Sequence, residues 1–96
     1  MYGTVRVYRA APELADLLAS REAEVSAVVS AIPGFCAYYL LKTDDGAVGI
    51  GLYETQEAAE ESTQATSAWL RENLPVRAFS PDVSAGEVVI DGSDWV

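Results

Sequence analysis

The chain has 96 residues, half of them hydrophobic, with one cysteine, no histidine and a formal net charge of −9. This length predicts a single domain over residues 1–96, and the excess of acidic residues excludes nucleic acid and anionic membranes as partners. A lone Cys36 without any histidine excludes an internal disulfide and the usual zinc ligands, so no metal is expected. Because no apolar run approaches the roughly 20 residues of a membrane span and no signal peptide is evident, we expect a cytoplasmic protein.

The N-terminal third of the chain predicts a strand followed by one long helix. Residues 3–9 alternate and are rich in β-branched and aromatic side chains, which is typical of a strand. Over residues 13–32, apolar side chains recur at the 3.6-residue period of a helix that buries one side. The pair Pro33-Gly34 then ends this helix.

Two apolar runs over residues 35–43 and 47–54 predict a β-hairpin. They are joined through Asp45-Gly46, a pair that suits a type I′ turn. Because such a turn fixes the strand register, we expect the cross-strand pairs to be Leu41 with Ile50, Tyr39 with Leu52, and Tyr38 with Tyr53.

The C-terminal part predicts a second helix and a last strand. Thr55 suits the N-cap of a helix over residues 56–74. A loop over residues 75–84 follows, in which Phe79 is expected to fill part of the core. The apolar residues 87–90 predict the last strand.

The element order β-α-β-β-α-β predicts a ferredoxin-like α+β fold, with a four-stranded antiparallel sheet and two helices on one face. Both faces of the hairpin are apolar. One carries Phe35, Ala37, Tyr39, Leu41, Val48, Ile50 and Leu52, and the other carries Cys36, Tyr38, Leu40, Gly49, Gly51 and Tyr53. Because two helices cover one face only, we infer a homodimer in which two sheets pack face to face.

Two stretches of the sequence resemble a known superfamily. Residues 32–39, Ile-Pro-Gly-Phe-Cys-Ala-Tyr-Tyr, lead into the hairpin, and residues 53–60, Tyr-Glu-Thr-Gln-Glu-Ala-Ala-Glu, lead from it into a helix. Over nearly its whole length the chain resembles the dimeric α+β barrel superfamily, and within it the antibiotic biosynthesis monooxygenase-like domains. Quinone-forming members need neither metal nor flavin, because the deprotonated substrate itself reduces oxygen. The resemblance therefore implies no cofactor.

The same resemblance argues against haem degradation. Haem-degrading members carry a tryptophan early in the second helix and a histidine iron ligand about ten residues later. The corresponding positions here are Ser62 and Glu72, and the chain has no histidine. We therefore reject haem degradation by that route.

Arg21 is the most informative single position for binding. The helical period places it in the middle of the apolar stripe of the first helix, where a permanent charge requires an acceptor. One interpretation is an anchor for a ligand anion or enolate. The alternative is that its stem lies along the helix–sheet seam while the guanidinium reaches solvent or Glu24.

The inward face of the second helix is the other candidate wall of a pocket. Its side chains are mostly small or weakly polar until Trp69, so either the helix packs close to the sheet or a cavity remains beneath it. Tyrosines of the hairpin are available to contact an aromatic ligand or to donate to its oxygen, unless they belong to core or dimer packing. Beside Arg21, the candidate binding residues are Tyr38, Tyr39, Ser62, Thr66, Trp69 and Asn73.

Two functions from different classes are compatible with such a pocket. The first is an enzyme similar to the cofactor-independent monooxygenases, which oxidises or isomerises a small aromatic or hydroxylated substrate while Arg21 and a tyrosine hold an oxyanion. The second is a non-catalytic homodimer that binds a hydrophobic metabolite or a protein partner. The absence of histidine and of an evident general base favours the second.

Overall fold

A computed structural model describes residues 1–74 and 81–92 of the chain. The strands form one antiparallel sheet in the order Phe35–Lys42, Ala47–Tyr53, Tyr2–Tyr8 and Asp82–Glu87. The ferredoxin-like α+β fold is therefore confirmed, with its first helix in two pieces. None of the helices in the described ranges is long and apolar enough to cross a membrane. The elements are β1 (Tyr2–Tyr8), α1 (Leu14–Ser20), α2 (Glu22–Ser30), β2 (Phe35–Lys42), β3 (Ala47–Tyr53), α3 (Gln56–Asn73) and β4 (Asp82–Glu87).

The core lies between the helices and one face of the sheet. On β1, the alternate residues Thr4, Arg6 and Tyr8 are buried on this face. One core cluster joins the first helix and the end of α3 to the sheet, and a second surrounds the ring of Tyr53. The buried members of the first cluster are Tyr8, Ala11, Leu14, Ala15, Leu18, Ala47, Leu70 and Leu74.

The first helical segment is interrupted at Arg21, so the single helix predicted over residues 13–32 was wrong. Arg21 has φ −119° and ψ 33°, outside the helical region, and separates α1 from α2. Periodicity alone could not reveal this break. Leu18 before it and Val25 after it both pack on the same core cluster, so the apolar stripe continues through the interruption.

The β2–β3 turn is centred one residue earlier than predicted. Thr43 N donates to the carbonyl of Gly46 at 3.1 Å, and Gly46 N donates to Thr43 Oγ1 at 3.0 Å, so Asp44 and Asp45 form the loop. The predicted pairs are wrong by two residues, but every pair keeps its face because a shift of two preserves the alternation. The observed pairs are Lys42 with Ala47, Leu41 with Val48, Tyr39 with Ile50, and Tyr38 with Gly51.

Contacts with the end of β1 account for the position of this turn. The Asp45 carbonyl accepts from Ala11 N at 2.9 Å, and Asp45 Oδ1 accepts from Ala10 N at 3.1 Å. Gly46 lies against the backbone of Tyr8, where an added Cβ would be 2.0 Å from the Tyr8 carbonyl oxygen. Glycine is therefore required at Gly46, the first residue after the loop, because of its contact with Tyr8 and not because of the turn conformation.

A β-bulge at the start of β2 reverses the predicted face of Phe35. Phe35 pairs with Tyr53 and Ala37 pairs with Leu52, which leaves Cys36 as the extra residue. As a result the Phe35 ring meets the Tyr53 ring edge-on at a centroid distance of 6.0 Å, on the face that the helices cover.

The second helix of the prediction, α3, forms where the sequence placed it. Thr55 Oγ1 accepts from Ala58 N at 3.1 Å, which confirms the N-cap. Its buried residues belong to the face predicted to point inward, and they are Ala58, Ala59, Ser62, Thr66 and Leu70.

The last strand covers Asp82–Glu87 instead of the predicted residues 87–90. Val89 and Ile90, the most apolar part of the predicted strand, are 82% and 69% exposed. Among the described strands, β4 lies at the edge of the sheet and pairs with β1 alone, so backbone hydrogen bonding rather than apolar burial decides which segment it uses. The prediction for Phe79 falls outside the described residues.

The face of the sheet away from the helices is apolar, as the sequence predicted. Within the described ranges no helix covers it, and its side chains include Tyr39 at 58% exposure, Leu41 at 48% and Val5 at 38%. The register aligns these residues with apolar neighbours, namely Val7, Ala37, Val48, Ile50 and Leu52.

Candidate functional site

Two glycines of β3 create space beneath the helices. A Cβ at Gly49 would lie 3.1 Å from Tyr38 Oη, and a Cβ at Gly51 would lie 2.7 Å from the ring of Tyr53 and 3.1 Å from Thr4 Oγ1. Two tyrosine rings therefore lie across the middle of the sheet. The sequence left open whether this region is closely packed or hollow, and in the structure these two rings fill most of it.

Arg6 lies in the interior beside these rings. It comes from the middle of β1, and the strand alternation places it on the helix-covered face with 0% exposure. Its Nη1 donates to Thr63 Oγ1 at 3.3 Å, and its Cζ lies 5.9 Å from the centroid of the Tyr38 ring. Its Nε and Nη2 have no hydrogen-bond partner. A buried arginine with two unused nitrogens is unusual, because such groups are normally paired.

Two further buried polar groups between the sheet and the helices also lack a hydrogen-bond partner. The hydroxyls of Thr4 and Thr66 are buried and have no hydrogen-bond partner. Burial raises the pKa of Tyr8 above its ordinary value, while the nearby positive charge of Arg6 acts in the opposite direction. We call Thr4, Arg6 and Thr66 the Arg6 cluster.

A narrow space, which we call the inner cleft, adjoins this cluster. It holds only about 10 Å³, room for about one water molecule. Its lining is mostly apolar, with the hydroxyls of two tyrosines and one threonine as the polar groups. The lining residues are Tyr8, Leu18, Val25, Val28, Val29, Tyr38, Thr66, Trp69 and Leu70.

A larger surface depression, the outer groove, lies beside the inner cleft between the first helical segment and β2. Its volume is about 360 Å³, and it shares Leu18, Val25 and Tyr38 with the inner cleft. At its edge Lys42 Nζ is 3.1 Å from Asp16 Oδ2. Tyr38 therefore lines both spaces, as Leu18 and Val25 do.

Arg21 lies beside Trp69, a lining residue of the inner cleft, and most of its donors are already used. Nε and Nη2 donate to the two carboxylate oxygens of Glu24 at 2.6 and 2.8 Å, and Nη1 donates to the Asn73 carbonyl at 3.0 Å. The hydrogen bonds between the two side chains raise the pKa of Arg21 and lower that of Glu24. These contacts match the alternative interpretation, a partner in Glu24, and the role of ligand anchor stays a prediction.

The remaining predicted site residues fall into different places. Trp69 lines the inner cleft, and the centroid of its ring lies 5.0 Å from Arg21 Cζ. Asn73 accepts from Arg21 and donates from Nδ2 to the Trp69 carbonyl at 2.9 Å. Ser62 is buried and hydrogen-bonded to Tyr53 Oη. Tyr39 lies on the opposite face of the sheet, so the structure does not bring it to the cleft.

Sequence reasoning missed Arg6 and Tyr8. Hydrophobicity makes Val5 and Val7 the apparent core-facing residues of β1, and this hides the arginine between them. The signal that could have revealed it was the inferred dimer. If both faces of a central strand are covered, Arg6 is buried whichever way it points.

The described part of the chain offers no evident metal centre. Within residues 1–74 and 81–92, no three His, Cys, Asp or Glu side chains lie close enough together to hold a metal ion. The polar groups of the interior are one guanidinium and a few hydroxyls beside apolar walls.

Comparisons with known proteins identify the fold. No family model matches the sequence, and no protein of curated function matches it. Solved structures do match. The haem degrader MhuD from Mycobacterium tuberculosis, with two haems bound in its active site, is 18% identical over 95% of this chain and 98% of its own, with a TM-score of 0.62.

Two further structures extend this likeness. SnoaB, a cofactor-independent oxygenase from Streptomyces nogalater, is 18% identical over 94% of this chain and 92% of its own, with a TM-score of 0.58. A dimeric ferredoxin-like protein from an uncultured marine organism is 14% identical over 94% of both chains, with a TM-score of 0.65. At these identities the likeness is one of fold. It confirms the ferredoxin-like α+β fold of the chain.

Proposed function

We propose that the protein is a homodimeric small-molecule-binding protein whose ligand lies between the sheet and the helices of each subunit. Arg6 is the observation that carries this proposal, because two nitrogens of a fully buried guanidinium lack partners. An unmet buried polar group costs on the order of 1–3 kcal/mol, and a charged one more. A ligand that satisfies these groups stabilises the folded chain by mass action.

The walls of the cleft favour an aromatic or otherwise apolar ligand body. Val25, Val28, Val29 and Leu70 provide aliphatic surface, and Trp69 provides an aromatic one. Such a pocket binds through apolar contact and uses its few polar groups for orientation. This composition supports the small aromatic ligand expected from the sequence, with Arg6 in place of Arg21 at the polar end.

The homodimer is supported by the exposed apolar face of the sheet. Tyr39, Leu41 and Val5 are among its exposed side chains. An apolar surface spread over three strands is a poor solvent-facing surface, and pairing two such faces around a two-fold axis removes both from water. One structural neighbour is described as a dimeric ferredoxin-like protein.

The reaction we propose is cofactor-independent oxygenation, as in the fold neighbour SnoaB. An anthrone-like substrate loses a proton from its activated methylene carbon and transfers electrons to O₂. One oxygen atom becomes the new carbonyl oxygen, the other leaves as water, and the carbon is oxidised by four electrons. The protein's part is to bind the substrate, orient it and stabilise its oxyanion through Arg6.

A non-catalytic binding protein is the second candidate, and one observation favours it. The side chains that line the inner cleft include neither a carboxylate nor a histidine. Burial raises the pKa of Tyr8, which makes its phenol a weaker acid and prevents it from serving as a base near neutral pH.

Two measurements test the proposal. Native mass spectrometry of protein purified without added ligand should reveal a retained small molecule, and oxygen uptake should distinguish turnover from binding. With a hydroquinone or an anthrone as substrate, the enzyme should consume O₂ faster than buffer does. Arg6→Met should lower that rate at least about tenfold, the effect of removing one charged hydrogen bond.

Arg9→Met is the matched control. Arg9 lies at the end of the same strand but is exposed and paired with Asp82, so its removal should leave oxygen uptake unchanged. Binding without turnover across the panel selects the non-catalytic protein. If neither binding nor turnover is found with any aromatic compound, the proposed function is wrong.

A further inference from the structure

The outer groove is open because the helix wall opposite β2 carries small side chains. Ala15 and Ala19 are four residues apart on α1, so they lie on the same side of the helix, and both line the groove. On the other wall, Tyr38, Leu40 and Lys42 are alternate residues of β2 and point to the same side of the strand. The volume of about 360 Å³ between these walls is in the range of pockets that bind small molecules.

The deeper part of the outer groove is apolar. Leu18 is buried, while Val25 and Leu40 are half-buried, and all three line the groove. Tyr38 adds an aromatic side chain to the same lining. A molecule that rests on these residues removes its own apolar surface and theirs from water. The groove therefore favours a ligand with an aromatic or aliphatic body.

The charged residues of the outer groove leave one negative charge without a partner. Asp16, Glu22 and Lys42 are the charged side chains in its lining. Lys42 Nζ lies 3.2 and 3.1 Å from the two carboxylate oxygens of Asp16, so these two charges offset each other. Among the ion pairs of the described residues, none includes the Glu22 carboxylate. The groove thus carries a net charge of about −1 beside an apolar surface.

We infer that the outer groove binds a small monoamine with an aromatic or aliphatic body. The amine is protonated near neutral pH, and its ammonium pairs with Glu22 while its body lies on Leu18 and Val25. This site goes beyond the proposed function, because Arg6 does not line the outer groove and takes no part in it.

Other ligand classes fit the outer groove less well. An anion would meet the unpaired Glu22 on a chain whose net charge is −9. A divalent metal ion needs several oxygen ligands, and within residues 1–74 and 81–92 no three His, Cys, Asp or Glu side chains are grouped to hold one. An uncharged molecule would gain the apolar contacts but not the ion pair. A single positive charge on an apolar body matches both features.

Two probes with the same carbon skeleton test the inference on the full chain. 2-Phenylethylamine carries the ammonium, and 2-phenylethanol replaces it with an uncharged hydroxyl. In titrations followed by NMR, the amine should bind about three- to fivefold more tightly than the alcohol, the effect of one exposed ion pair. This preference should shrink when sodium chloride is raised from about 20 mM to about 500 mM, because salt screens exposed charges.

Glu22→Gln should abolish the preference for the amine, because it removes the unpaired carboxylate and keeps the shape of the side chain. Glu13→Gln is the matched control. Glu13 is an exposed glutamate just before α1 and does not line the groove, so its substitution changes the net charge equally and should preserve the preference.

A gain of affinity provides a test that misfolding cannot imitate. Lys42→Met frees the Asp16 carboxylate and raises the negative charge of the groove, so 2-phenylethylamine should bind about two- to fivefold more tightly. Arg9→Met removes a positive charge from an exposed ion pair outside the groove lining. It should leave the affinity for the amine unchanged.

A filled groove tests the location of the site. Ala19→Phe places a ring between α1 and β2, so both probes should lose binding. Ala23→Phe is the control, because Ala23 is an exposed residue of the next helical segment and does not line the groove. It should bind both probes as the unmodified protein does.

The outcomes separate this inference from the proposed function. Equal affinity for the amine and the alcohol, an unchanged preference in Glu22→Gln, or unchanged binding in Ala19→Phe overturns the amine site. None of these results bears on the proposed function, whose test is the effect of Arg6→Met on oxygen uptake and the ligand retained by the purified protein.

Discussion

Arg21 Nη1 donates to the backbone carbonyl of Asn73 at 3.0 Å, so the interruption between α1 and α2 is fastened to the last residue of α3. A second hydrogen bond, from Nη2 to Asn73 Oδ1 at 3.2 Å, and the contact with Trp69 reinforce this link. The final carbonyls of a helix lack helical hydrogen-bond partners and carry partial negative charge. A guanidinium at this end of the helix supplies both a hydrogen-bond donor and a positive charge.

Arg21→Met should therefore lower the melting temperature by a few degrees, as expected for the loss of hydrogen bonds at one helix end in a domain of this size. Thermal unfolding followed by circular dichroism measures the change. Arg71→Met is the control, because Arg71 is an exposed charge in the same last turn of α3. If the two variants lower the melting temperature equally, the loss comes from removing a positive charge near the end of α3 and not from the hydrogen bonds between Arg21 and Asn73.

Glu24 should make stability depend on pH in the acid range. Its hydrogen bonds with Arg21 lower its pKa below the ordinary 4.5, so the folded state favours the carboxylate. This stabilisation is complete above pH 4.5 and is lost as the pH falls through the lower, folded-state pKa. Glu24→Gln should be slightly less stable than the unmodified protein at pH 7, and the difference should vanish at lower pH.

Urea unfolding at pH 7 and near pH 3 measures this effect. It will be small, because the side chains of Arg21 and Glu24 are 31% and 48% exposed and water screens the pair. Glu22→Gln is the control, since Glu22 is an exposed glutamate in the same helix. A stability gap for Glu24→Gln that persists unchanged at pH 3 contradicts the prediction.

Arg6→Met should stabilise the ligand-free protein. The substitution replaces a buried, uncompensated charge by an apolar side chain of similar length, which in comparable cases gains about 1–4 kcal/mol. Part of this gain is offset by the lost hydrogen bond to Thr63. Chemical denaturation of both forms measures the change, and a clear loss of stability would mean that the guanidinium is well satisfied inside the fold.

Gly46→Ala should be strongly destabilising. Its Cβ would lie 2.0 Å from the Tyr8 carbonyl oxygen, a backbone atom that cannot move without disturbing the pairing of β1 with β3. We expect a loss of about 2–4 kcal/mol by denaturant unfolding, in the range of severe packing errors. Gly86→Ala is the matched control, because a Cβ there meets nothing within 4 Å, and it should change stability by less than about 0.5 kcal/mol.

Charges on the open face of the sheet should separate the proposed dimer. Tyr39→Lys and Leu41→Lys each place an ammonium in the centre of the face-to-face contact, where its desolvation is costly. Sedimentation at micromolar concentration should show a dimer for the unmodified chain and a monomer for the double variant. Leu17→Lys, at an exposed residue of α1, should remain dimeric. A monomer already in the unmodified chain contradicts the proposal.

The fold could be predicted because its signals are local or periodic. Thr55 before a helical stretch and the alternation of β1 both act within a few residues, and the structure agrees with them. The register of the hairpin could not be predicted, because tertiary contacts decide it. The backbone N–H groups of Ala10 and Ala11 bind Asp45, and Gly46 packs against the backbone of Tyr8. The loop is therefore Asp44-Asp45 and not the Asp45-Gly46 pair that favours a type I′ turn.

The candidate site was predicted only in part for a related reason. Tyr38, Thr66 and Trp69 were identified from the faces of their elements, and the structure brings them to one cleft. Arg6 was missed because a charged residue in an amphipathic strand normally faces solvent. Its burial depends on which face of a two-sided apolar sheet the helices cover, and local sequence does not contain that information.

Because Gly49 and Gly51 have no side chains, the volume available inside this fold depends on the neighbouring side chains and not on the path of the strands. Tyr38 and Tyr53 fill the hollow that two missing β-carbons leave. A shorter residue at either position would enlarge the chamber while the hydrogen-bonded ladder stays in place. The chain is consequently a convenient starting point for designed hosts, in which guest size is chosen by one or two substitutions on an unchanged backbone.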